Sequence, residues 1–190
     1  MSRWSHRLAK RCVQYGIVEE DQLPWFIYGV EKRLSTAFIS VPFLLLALIL
    51  TTPGCTISMY LSFYLLRRRA SGYHANNACL CLCISLLLEI IFLILIYPLL
   101  RKIHIILFLG SCIPLIFKFA PYRDPNMKFT TDEISACQSS ARITVCILTI
   151  TVVVTYTVGL HEVSKGLTIG ITMATVLLCT AHILERRKNK

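Results

Sequence analysis

Acidic side chains are scarce in this chain. Ten Asp and Glu stand against twenty Lys and Arg, a formal net charge of +10 over 190 residues. The first 33 residues lack the early apolar core and small-residue cleavage site of a secretory signal peptide. Membrane insertion is therefore expected to use internal segments. The nine cysteines lack the paired spacing of a secreted disulfide framework. Cys12, Cys55, Cys79, Cys81, Cys83, Cys112, Cys137, Cys146 and Cys179 are scattered, mostly in apolar runs, and read mainly as small buried hydrophobes. No internal repeat and no low-complexity segment is detectable.

What the chain has is apolar length. It is 55% hydrophobic, with a mean hydropathy of +0.64. Long apolar runs recur through the sequence, the pattern of an all-α, polytopic membrane helix bundle rather than a soluble domain. Six spans are expected, over residues 35–51, 55–66, 78–100, 103–119, 143–160 and 166–184. The first ends at the turn signal Thr52-Pro53-Gly54. The second is short for the ~20 residues a spanning helix needs. The fourth contains Gly110 and Pro114, which predicts a kink. One integral membrane domain, 1–190, is expected: an interfacial segment over 1–34, the bundle over 35–184 and a basic tail over 185–190. In the first part, Trp4, Leu8, Cys12 and Tyr15 share a helical face, and Leu23 to Tyr28 is a second apolar, aromatic run. Both read as short helices lying on the membrane surface.

Placed on six spans with the N-terminus in the cytosol, seventeen Lys and Arg fall inside and three outside. The positive-inside rule then sets both termini, and the segment containing His74, in the cytosol. The same rule accounts for the net charge without nucleic acid. The longest polar loop, 120–141, is also inside. Its Thr130-Thr131-Asp132-Glu133 has the form of a capping box, so a helix is expected to start there and run into the fifth span.

Chemistry concentrates in the stretch Arg67-Arg68-Arg69-Ala70-Ser71-Gly72-Tyr73-His74-Ala75-Asn76-Asn77-Ala78-Cys79-Leu80-Cys81. A nucleophilic cysteine must be a thiolate, and both an imidazole and a helix N-terminus favour that state. Asn76 and Asn77 are good N-cap residues for the third span. In an unbroken helix His74 and Cys81 would stand ~10.5 Å apart along the axis, too far to hydrogen-bond. A Cys–His pair therefore needs His74 off the regular helix. At ~100° per residue Cys79 and Cys83 share a face that Cys81 does not, and geometry alone does not choose among them. The competing reading makes all three cysteines packing residues. The same angles prevent the three thiolates from converging on one metal ion, so no metal or other cofactor is expected. Glu89, deeper in the third span, faces the bundle interior as a functional group or a protonated, hydrogen-bonded structural one. His104, His161 and His182 read as interfacial.

Arg67 to Ala75, with Cys81 seven residues after His74, resembles the accessory gene regulator B (AgrB) family: basic residues, Gly-x-His-Ala, then the cysteine. Phe119 to Lys128 resembles the cytosolic Ala-Pro loop of that family. Departures are Ser71, where a second glycine is common, and Lys128-Phe129, where Lys-Pro is common. The resemblance spans nearly the whole chain. It implies a bacterial, multi-pass membrane cysteine endopeptidase of quorum sensing, with Cys81 as nucleophile and His74 as general base and acid. It would cut the acidic C-terminal tail from an AgrD-like precursor peptide and support closure of a thiolactone or lactone. Tail or precursor contacts are expected at Arg67, Arg68, Arg69 and Gly72, with the resemblance pointing most to Arg67. It also implies homodimerisation, alongside contact with membrane lipid. The alternative from another class is a non-catalytic transporter of a small peptide or ion, with Glu89 and the fourth span lining a path.

Overall fold

The computed structural model describes residues 3–16, 23–70, 78–121 and 131–188. Their regular structure is wholly helical: α1 (Arg3–Gln14), α2 (Leu23–Leu50), α3 (Pro53–Ala70), α4 (Ala78–Ile91), α5 (Lys102–Phe119), α6 (Thr131–Thr157) and α7 (His161–Lys188). Two compact units divide the chain, Met1–Phe43 and Leu44–Lys190.

In the first unit, α1 ends at Gln14 and the chain turns at Gly16, whose φ of 67° only glycine adopts readily. Tyr15, expected on the apolar face, lies past the end of α1 and is exposed. The run from Leu23 to Tyr28 is not a separate surface helix. It is the start of the 28-residue α2, which passes through Glu31-Lys32-Arg33 into the apolar stretch ending at Leu50. A helix closes its backbone hydrogen bonds internally whatever its side chains, so a polar patch ends the apolar run without ending the helix.

In the second unit, Thr52 caps α3. Its Oγ1 accepts from the Cys55 amide at 3.4 Å, with Pro53 at the first helical position. The α6–α7 connection is a three-residue turn closed by Gly159 at φ 90°. There the Leu160 amide bonds Thr155 O at 2.9 Å and the Gly159 amide bonds Tyr156 O at 3.2 Å, a Schellman closure.

Among the described residues, three helices are long and apolar enough to cross a membrane: Lys102–Phe119, Ile134–Thr157 and His161–Leu184. They coincide with the fourth, fifth and sixth expected spans. Ser40–Leu50 and Cys83–Leu99 are shorter apolar stretches. On α6, Ala141, Val145, Leu148 and Val152 are buried while Ile143, Ile147, Ile150 and Val154 are exposed. Both faces are thus apolar. One packs on protein, and the other has no reason to be apolar unless lipid covers it. The chain is an all-α, largely membrane-associated helix bundle.

The central element is α7. Two thirds of its apolar stretch (67%) is buried, against 22% for α5 and for α6. Its tightest neighbour is α3. A Cβ at Gly166 would lie 2.3 Å from Cys55 O, and one at Gly170 would lie 2.4 Å from Met59 O. The two backbones approach this closely only because both positions lack side chains, a small-x-x-x-small packing in lipid. Ser62 Oγ donates across the interface to Leu167 O at 3.2 Å. Thr168, Thr172 and Thr175 return their hydroxyls to α7 carbonyls four residues earlier, so the buried polar groups of α7 are satisfied.

Two expectations about the spans are refined. Residues 78–100 are not a regular helix throughout: after α4 come a π-helical turn, Phe92–Ile96, and a 3₁₀ turn, Tyr97–Leu99. Pro98 has no amide hydrogen to give the carbonyl four residues back, which removes the α pattern there. α5 runs as helix from Lys102 to Phe119 with Gly110 and Pro114 inside it.

Candidate active site

The last turn of α3, the first turns of α4 and α6, and the last turns of α5 and α7 gather at one end of the second unit. Arg69 Nη1 on α3 donates to Ser140 Oγ on α6 at 2.7 Å. Arg142 Nη2 on α6 donates to Phe117 O on α5 at 3.3 Å. His182 Nε2 on α7 donates to Phe119 O on α5 at 2.8 Å. At the other end, Tyr97 donates its hydroxyl proton to Glu162, which Lys165 Nζ pairs at 3.0 Å. The Lys165 ammonium lies 5.1 Å from the Tyr97 ring centroid.

The helix carrying the candidate nucleophile begins at Ala78, at the arginine-bearing end. Cys81 is its fourth residue, within the turn whose amides have no intrahelical partner. Those amides and the helix dipole favour an anion at this level. The side chains of Cys79 and Cys81 lie outside the described residues, and Cys83 is exposed. His74 and Gly72 also lie outside the described residues, as do the Asn76 and Asn77 cap and most of the Ala-Pro loop.

The three arginines differ. Arg67 is half-buried, with its guanidinium carbon 5.6 Å from the Phe63 ring centroid. Arg69 is exposed and holds Ser140. Arg68 is exposed as well. All three occupy the last turn of α3, where cations complement the helix dipole. Among the described residues, no group of three His, Cys, Asp or Glu side chains is arranged to hold a metal ion.

A family model described as accessory gene regulator B matches residues 3–178. The chain belongs to this family. No curated relative and no solved structure matches it. An AgrB-family chain has a general role in processing AgrD-type peptides, and that context implies interaction with such a peptide. The multiple apolar helices fit a multi-pass membrane protein.

Sequence reasoning missed two features of this AgrB-family chain. His182, read only as interfacial, closes the C-terminal end of α5, where its ring also lies 5.1 Å from that of Phe119. No pattern in the sequence signals that pairing, which joins residues 63 positions apart. Glu89 is fully buried as expected, but among the described residues neither carboxylate oxygen has a hydrogen-bond partner. Among the described residues nothing supplies the hydrogen bond that the structural reading of Glu89 requires.

Proposed function

We propose that this AgrB-family chain is a membrane cysteine endopeptidase. It cleaves the C-terminal tail from a small AgrD-like precursor and supports closure of the remaining peptide into a thiolactone or lactone. The observation that supports the reading is that α4 begins at Ala78, which makes Cys81 its fourth residue, while α3 ends on the basic turn Arg67 to Arg69. The family match supports it.

In this mechanism His74 is the general base and acid. The Cys81 thiolate attacks the scissile carbonyl, and amides at the start of α4 stabilise the oxyanion. The imidazolium of His74 gives its proton to the departing amine of the tail, leaving a Cys81 thioester. A cysteine or serine inside the precursor then attacks that thioester while His74 accepts its proton. The ring closes and Cys81 leaves as thiolate. No water is consumed. Arg67, Arg68, Arg69 and Gly72 form the expected tail-binding segment. Six spans, both termini in the cytosol and homodimerisation complete the proposal.

The test uses purified full-length protein in lipid vesicles with a synthetic precursor. Mass spectrometry after acid quench should find the tail-less precursor attached through Cys81 before the cyclic product accumulates. Cleavage without an adduct, or an adduct on another cysteine, would remove Cys81 from the mechanism. The transporter reading draws on a separate observation, the unpartnered carboxyl of Glu89. Uptake of precursor or ions into vesicles by the Cys81→Ala variant would favour it.

A further inference from the structure

Among the described residues, Glu89 is a fully buried carboxyl that the peptidase chemistry leaves unused. It lies eight residues beyond Cys81 on α4, about 12 Å along the axis, too far to orient a side chain at the head of the helix. Its exposure is 0%, and both Oε atoms lack a hydrogen-bond partner. Among the described residues, the ion pair formed by Glu162 and Lys165 does not include it. A carboxylate in that setting cannot remain charged, because nothing replaces its hydration.

Among the described residues, the other spans offer no compensating cation at mid-bundle. At mid-bundle their titratable side chains are Tyr60 on α3, Cys112 on α5, Cys146 on α6 and Cys179 on α7, all neutral when protonated. Cys83 and Tyr97 on the same span are likewise neutral in that state. Arg67 lies at the far end of α3, over Phe63. A bound metal would need several further oxygen, nitrogen or sulfur ligands, and the described residues bring no such group together. The ligand that suits a single carboxyl among apolar walls is a proton.

Three features make α4 able to respond to that proton. The π-helical turn begins at Phe92, three residues after Glu89, and such turns are places where helices kink. Among the described residues, close backbone packing joins α7 to α3, α5 and α6, while α4 has no comparably extensive partner. On the side of α4 turned away from Glu89, an apolar groove of about 250 Å³ separates Ile84, Leu88 and Ile91 from Leu177 and Thr180 of α7.

We propose that Glu89 is a proton-binding site within the membrane-embedded part of the protein, and that its proton holds α4, with Cys81 at its head, in the position described. Loss of the proton creates a charge that must reach water. α4 then moves about the π-helical turn, with the groove giving it room. This inference does not rest on the peptidase reading.

The test uses the full-length chain in vesicles of neutral lipid and a hydrophobic carbodiimide, dicyclohexylcarbodiimide, which modifies protonated carboxyls in apolar surroundings. Mass spectrometry should find the adduct on Glu89 at neutral pH, lost as the pH is raised. Hydrogen–deuterium exchange, corrected for the intrinsic effect of pH, should show α4 of the parent protein exchanging faster over that same pH interval. α4 of Glu89→Gln should exchange at one rate throughout. Absence of labelling at Glu89 in the folded parent overturns the site, whatever the fate of the variant. Labelling with no pH-dependent change in α4 exchange overturns the coupling. Either result leaves precursor cleavage by Cys81 to be judged separately.

Discussion

His182 Nε2 on α7 donates to the carbonyl oxygen of Phe119, the last residue of α5, at 2.8 Å. That carbonyl belongs to the final turn of α5 and has no partner within its own helix. The bond therefore sets where the chain leaves α5 for the Ala-Pro loop. His182→Phe would keep an aromatic ring against Phe119 but remove the donor, while His182→Gln would keep a donor. The Phe variant should lose about 1 kcal/mol of stability and the Gln variant less, read from thermal unfolding of purified protein in detergent. Equal losses would mean that ring packing, not the hydrogen bond, matters here.

The α3–α7 contact yields a sharper structural prediction. At Gly170 an added Cβ would meet the Met59 carbonyl, a backbone atom that cannot rotate away. Gly170→Ala should destabilise by about 1–3 kcal/mol, the usual cost of overpacking. Gly110, where a Cβ would meet nothing within 4 Å, is the control. Gly110→Ala should be neutral or slightly stabilising, since alanine favours helix. The check is the melting temperature of each variant in the same detergent.

These two contacts show which features a single sequence makes legible. The start of α4 at Ala78 could be read from a polar Asn-Asn pair meeting an apolar run. The start of α6 at Thr131 could be read from a local capping pattern. Both signals lie within a few residues of their effect. The length of α2 was hidden because Glu31, Lys32 and Arg33 break the hydropathy but not the helix. The π-helical turn was hidden because Phe92 to Ile96 are apolar in either winding. Gly166 and Gly170 had a usable signal in their four-residue spacing, but the choice of α3 as their partner is a tertiary fact. At the candidate site, residue types and spacing pointed to Cys81 and His74, while the choice among the cysteines rested on the family resemblance.

That choice is open to direct measurement. Cys81→Ala should abolish precursor cleavage, while Cys79→Ala and Cys83→Ala should retain most of it. Membrane insertion should survive in all three, since replacing one small side chain near a helix start costs little packing. A thiol reagent should modify Cys81 faster than Cys83, despite the exposure of Cys83, because a thiolate rather than access alone governs the rate. Equal loss of cleavage from all three replacements would favour a structural role for the cluster.

The arginine cluster makes the last prediction, because its members are not equivalent. Charges at the end of α3 complement the helix dipole and the positive-inside rule, and any of the three serves those ends. A substrate contact differs by requiring a guanidinium that can meet carboxylates of the precursor tail. Arg69 is already bonded to Ser140, so Arg69→Ala should act partly through α6, and Ser140→Ala should reproduce that part. Arg68 is exposed and Arg67 rests on Phe63. Charge reversal at Arg67 or Arg68 should raise KM for an acidic-tailed precursor by about tenfold or more, equivalent to about 1.4 kcal/mol, with less effect on kcat. A precursor whose tail carries a compensating lysine should recover part of the loss. The measurement is steady-state cleavage in vesicles at fixed salt, since such pairs weaken as ionic strength rises. If the parent protein cuts neutral and acidic tails equally well, the arginines serve topology alone.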